Sequence, residues 1–76
     1  MFILLNTIEK VKLFSEVVGK YDGEITAIQG NYSVNAKSII GIFGCDILKP
    51  IRLEISEDVD GLKEDLDEIG LLYNNE

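Results

Sequence analysis

Histidine and tryptophan are absent from this sequence, and cysteine, proline and methionine occur once each in 76 residues. No glycine-rich phosphate loop is present either. Each absence removes a class of function. A single thiol, Cys45, cannot form an internal disulfide, so a disulfide-stapled secreted scaffold is excluded. Lying in an apolar stretch, Cys45 is expected to be a small buried hydrophobe. Nucleophilic catalysis needs an activating base. Cys45 has no histidine to serve it, and Ser38 has only Lys37 nearby in sequence, so no enzymatic activity is expected. The apolar opening "MFILL" is far too short for a signal peptide or a membrane span and reads as a strand. The expected compartment is the cytoplasm, without membrane association.

Basic charge is also scarce. The net charge is −7, and its distribution is uneven. Residues 1–53 carry six basic side chains (Lys10, Lys12, Lys20, Lys37, Lys49, Arg52) against five acidic ones, whereas residues 54–76 carry nine acidic groups against Lys63 alone. Neutralising phosphates requires basic surface, so nucleic acid and anionic lipid are excluded as partners. The acidic run Asp58, Asp60, Glu64, Asp65, Asp67 and Glu68 does not have the ligand order or turn glycine of a calcium loop. It reads as a solvated helix face, with no metal and no cofactor expected.

What is present is apolar: 46% of the residues, rich in Ile, Leu and Val, enough for a packed core in one small domain spanning 1–76. No linker, repeat or low-complexity segment divides it. After the strand-like Phe2 to Leu5, Asn6 is a good helix N-cap with Glu9 at capping-box spacing. Ile8, Val11, Phe14 or Ser15, Val18 and Tyr21 then follow a helical period, and Gly19 is a stop signal. The spacing predicts a helix over 7–19. "GEITAIQGNYSVNA" reads as a hairpin turning at Gly30-Asn31, with Ile25, Ala27 and Gln29 on one face. Ser38 opens a short helix containing Ile39, Ile40, Ile42 and Phe43. These four span about 160° of its wheel at about 100° per residue, wider than a short helix normally buries. Pro50 opens a strand in which Ile51, Leu53 and Ile55 alternate with Arg52, Glu54 and Ser56. Val59, Leu62, Leu66 and Ile69 mark a last, acidic helix that Gly70 stops. The order strand, helix, strand, strand, short helix, strand, helix predicts an α+β open-faced sandwich. Its four-stranded antiparallel sheet carries three helices on one face.

The stretch "GKYDGEITAIQGNYSVNAKSIIGIFGCDILKPIRLEI", sharpest in "VNAKSIIGIFG" with "KYD" upstream, resembles HPr, the small phosphocarrier protein of the bacterial sugar phosphotransferase system. The similarity covers roughly residues 8–72 and implies the same fold. It implies less of the activity. HPr carries its phosphoryl group on a histidine between the first strand and first helix, with an arginine and a proline close behind. Those three positions correspond here to Thr7, Glu9 and Lys10. A threonine phosphoester is too stable for onward transfer, and Glu9 repels a phosphate where arginine would bind it. The chain is therefore not expected to be a phosphocarrier.

Ser38 corresponds to the family's regulatory serine, phosphorylated in many Gram-positive bacteria by a dedicated kinase. From the residues alone Ser38 is a helix N-cap, and a phosphate at that position is compatible with the cap. The resemblance also implies a docking surface for partner proteins, made by the first helix (Lys12, Ser15, Glu16) and the short helix (Ile39, Ile40, Phe43). The expected function is a protein-binding, regulatory module of the phosphotransferase-system type, with Ser38 as a candidate phosphorylation site. The alternative is a homo-oligomeric assembly protein that pairs through the apolar short-helix face.

Overall fold

The computed structural model describes residues 1–56 and 61–73. Its elements run β1 (Phe2–Ile3), α1 (Ile8–Val18), β2 (Ile25–Gln29), β3 (Tyr32–Asn35), α2 (Ile39–Phe43), β4 (Ile51–Ile55) and α3 (Leu62–Glu68). The strands form a four-stranded sheet in the order β1-β4-β2-β3, antiparallel at every pairing. β1 and β2 are thus parallel with β4 between them, so α1 connects two strands that do not touch. α2 makes the equivalent connection from β3 to β4.

Alternation along the strands sets the inner face. Ile51 and Leu53 are buried while Arg52 and Glu54 are exposed. β2 presents Ile25 and Ala27 in register with them, Ile25 opposite Ile55 and Ala27 opposite Leu53. One core cluster joins this face to Val11, Phe14, Val17 and Val18 of α1, Ile42 of α2, and Leu62 and Leu66 of α3. All three helices therefore cover the same side of the sheet. The other side carries the Arg52–Glu54 ion pair, 2.7 Å. The α+β architecture with an open antiparallel sheet is as the sequence pattern expects. Gly30 turns the hairpin with φ +60 and pairs Gln29 with Tyr32 across a two-residue loop, where a side chain at Gly30 would be strained.

Four details depart from the sequence reading. First, the cap of α1 is Thr7, whose Oγ1 accepts from Lys10 N–H at 3.1 Å. Asn6 instead takes φ 34 and donates its N–H to Ile47, so the helix starts one residue later and Glu9 falls short of the capping-box position. Second, β1 is only two residues long. Its outer edge is covered by residues 71–73, too few to show a period in the sequence: Leu4 N–H donates to the Leu71 carbonyl at 3.0 Å and Tyr73 N–H to the Phe2 carbonyl at 2.9 Å. That pairing shields the edge from adventitious strand addition. Third, Ile8 is 57% exposed, whereas Val17, outside the predicted stripe, is buried. Fourth, Ile69 closes α3 but is exposed, leaving Leu62 and Leu66 as its buried pair. Val59 lies outside the described residues.

Tyr21 ties the helix layer together. Its carbonyl accepts from Lys37 Nζ, just before α2, and its hydroxyl donates to the Asp65 carboxylate on α3. The bond to Asp65, with desolvation and the nearby acidic charge behind it, holds the phenol neutral and pushes its pKa up to about 12. Because the folded value lies above the unfolded one, this stabilisation is complete below pH 10 and is lost as pH rises towards about 12. Absorbance titration of the phenolate is expected to show a step near pH 12 that Tyr21→Phe removes. A titration unchanged by that substitution would contradict the assignment.

Candidate functional site

α2 is built by local chemistry on both sides. Asn35 ends β3 with its side-chain oxygen accepting from Lys37 N–H at 2.9 Å and its carbonyl accepting from Ser38 N–H at 2.9 Å. This turns the chain and delivers Ser38 in an extended conformation (φ −88, ψ 107), as a cap requires. Ser38 Oγ then accepts from Gly41 N–H at 3.1 Å. From β3, Tyr32 Oη donates to the carbonyl of the same Gly41, at the middle of α2, at 2.9 Å. A Cβ on Gly44 would overlap the Tyr32 phenol, so glycine there is a condition of that close approach.

The cap makes a measurable demand. Ser38→Ala is expected to lower unfolding free energy by about 1 kcal/mol, the usual value of a lost N-cap. Ser38→Asp is expected to cost little, because a carboxylate also caps and suits the positive end of the helix dipole. Urea denaturation of both variants checks this; equal, negligible losses would remove Ser38 as a cap.

Only Ile42 of α2 turns into the core, at 1% exposure. Ile39, Ile40 and Phe43 face outward, Ile40 at 82% and Phe43 at 47%. A short helix against a small sheet has room for one inward residue per turn, so the wide apolar arc seen in the sequence is mostly surface. The helix runs antiparallel to α1. Lys37 reaches Tyr21 at the C-terminal end of α1, and the loop after α2 reaches its N-terminal end through the Asn6–Ile47 bond of 2.8 Å. On α1, Lys12 and Glu16 are exposed and Ser15 is half-buried.

Two further apolar residues close in sequence to the Asn6–Ile47 bond are exposed. Leu48 is 72% exposed, and Ile8 lies across the Asn6–Ile47 bond from it. The Leu48 loop is well fixed. Asp46 Oδ1 accepts from Leu48 N–H at 3.1 Å, and the Asp46 carbonyl accepts from Lys49 N–H at 3.1 Å. The Gln29 amide clasps the Asp46 backbone on both sides, 2.9 Å to its carbonyl and 2.7 Å from its N–H. Alternation along β2 marks Gln29 as a polar residue on the inner face, which was the available signal that it bonds a loop.

Thr7 stands between β1 and α1, exposed, with Glu9 in the first helical turn beside it. Cys45 is buried, and burial pushes its thiol up, away from the reactive thiolate. Among the described residues no cluster of carboxylates or thiols is arranged to hold a metal, and no helix is long and apolar enough to cross a membrane.

Fold and surface together define a small α+β domain presenting an apolar helix face. Comparison with protein-family models, with curated proteins and with solved structures returns no match.

Proposed function

We propose that this chain is a protein-binding, regulatory module of HPr type, cytoplasmic, that acts by docking the α1–α2 face onto a partner protein. The observation that carries the reading is the exposure of Ile39, Ile40 and Phe43 on a five-residue helix held by Ser38 and Tyr32. A domain of this size has little apolar area to leave in water, so an outward-facing group of aliphatic and aromatic side chains supports the reading of an interaction surface. The "VNAKSIIGIFG" stretch supports the HPr assignment, and the element order agrees with it. Phosphoryl transfer is not part of the proposal, because Thr7 and Glu9 stand where transfer would need histidine and arginine. Nor is catalysis: the buried Cys45 has no histidine to activate it.

Ser38 is the proposed control point. It lies at the boundary of the docking helix, exposed, next to Ile39 and Ile40. A phosphate on it adds about two negative charges beside that apolar group, which changes docking more than stability. Treatment with an HPr kinase and ATP is expected to add one phosphate to the chain, none to Ser38→Ala, and none to Thr7. Intact mass and peptide mapping read the result. No added phosphate, or a phosphate retained by Ser38→Ala, would leave Ser38 as a cap alone.

The same exposed face favours one second reading, self-association into an assembly through α2. Sedimentation across micromolar concentrations separates the two: a monomer at all concentrations leaves the face free for another protein, whereas a dimer dispersed by Ile40→Glu assigns it to a second copy.

A further inference from the structure

Between α1 and β2 the chain is held at two points. Tyr21 N–H donates to the Val18 carbonyl at 3.2 Å, and the Tyr21 carbonyl accepts from Lys37 Nζ. Glu24 N–H donates to Ser56 Oγ at 3.1 Å, and its carbonyl accepts from Ser56 N–H at 3.0 Å. Asp22 and Gly23 lie between these anchors, with the chain bending at Gly23 and the Asp22 side chain exposed. Among the described residues, neither makes a hydrogen bond or an ion pair.

We propose that Asp22-Gly23 is a site of spontaneous backbone isomerisation in the folded protein. The Gly23 amide nitrogen attacks Cγ of the Asp22 carboxyl group, an N–C bond forms, and the C–O bond to the hydroxyl breaks. One water leaves, taking the amide proton, and a five-membered succinimide remains. Water then adds back at either ring carbonyl. Opening at one restores aspartate; opening at the other carries the main chain through Cγ and leaves isoaspartate. The step needs no oxidant, reductant or second substrate. It does need an unhindered amide nitrogen and backbone torsions that glycine tolerates best.

The other described aspartates are less suited. Asp46 is followed by β-branched Ile47, and its carboxylate is held by Leu48 N–H at 3.1 Å. Asp65 and Asp67 lie in α3, where helical hydrogen bonding fixes the backbone, and Asp65 also accepts from Tyr21. Asp60, also followed by glycine, lies outside the described residues.

Isoaspartate adds one methylene to the main chain between the two anchors, so Tyr21 and Glu24 can no longer both keep their register. Tyr21 contacts Lys37, the neighbour of Ser38, so modified chains are altered at the approach to α2.

The test incubates the folded full-length chain in neutral buffer at body temperature beside a peptide spanning residues 20–25. Isoaspartate is read by isoaspartyl methyltransferase labelling and located by fragmentation mass spectrometry. Isomerisation at Asp22 in the folded chain, slower than in the peptide because both flanks are held, and through a species lighter by one water, is the expected result. Gly23→Ala is expected to abolish labelling at Asp22 over the same period. An intact Asp22 in the folded chain while the peptide reacts would overturn the proposal, as would isoaspartate confined to Asp60.

Discussion

Phe14→Ala is expected to leave the chain largely unfolded. Phe14 is fully buried on α1 and is the largest side chain of the core, in the cluster that joins all three helices to the sheet. Truncating a buried phenylalanine costs about 3–5 kcal/mol, from lost transfer free energy and the cavity left behind. Small domains hold only about 5–15 kcal/mol in total and sit towards the low end of that range. Far-UV circular dichroism with urea titration reads the outcome. A midpoint close to that of the parent protein would mean that the helix layer does not depend on this contact.

Ile40→Glu is expected to do the reverse. At 82% exposure Ile40 contributes little to folding, so the unfolding free energy should stay within about 0.5 kcal/mol of the parent value. Docking should suffer strongly, because a carboxylate at the centre of an apolar interface must be desolvated without a partner. A loss of about 2 kcal/mol or more, roughly thirtyfold in affinity, is the expected size for a central contact. Phe43→Glu should behave similarly in binding but cost more stability, since about half of that ring is covered (47% exposed). A large drop in stability for Ile40→Glu would show that α2 packs more tightly than its exposure implies.

The contrast between these two positions explains how far the sequence could be read. Period-two alternation in Ile51 and Leu53, with Ile55 half-buried at the strand's end, and the three-and-four stepping of Val11, Phe14 and Val18 report burial directly, because one face of each element meets the core. The sheet and its helix layer were therefore legible. Periodicity says less where an element is short. The four apolar residues of α2 look equivalent on a wheel, yet only Ile42 finds the core, and which one does so depends on how the helix lies against β3. Ile8 fails for a related reason. It opens α1, beyond the reach of the core, so its place in the stripe does not bury it.

Long-range backbone pairing was the other hidden feature. Asn6 sits at φ 34 with its N–H bonded to the Ile47 carbonyl, and Thr7 is the cap; the partner lies far along the chain, and nothing local to Asn6 announces that bond. The pairing of residues 71–73 with β1 is invisible for the same reason, since the segment is too short to show a period. At the candidate site, Ser38 as a cap was legible because capping is local chemistry. The exposure of Leu48 was not, because the loop that carries it is held through Asp46 by Gln29, distant in sequence.

The initial rate of Ser38 phosphorylation by an HPr kinase, compared between the parent chain and Ile40→Glu, tests most directly the proposal that the α2 face is a docking surface with Ser38 at its edge. The expected result is one phosphate on the parent chain and a rate roughly thirtyfold lower, or more, in the variant at subsaturating chain, with unfolding midpoints the same for both. Equal rates for the two chains, or no phosphate on the parent chain, would contradict it.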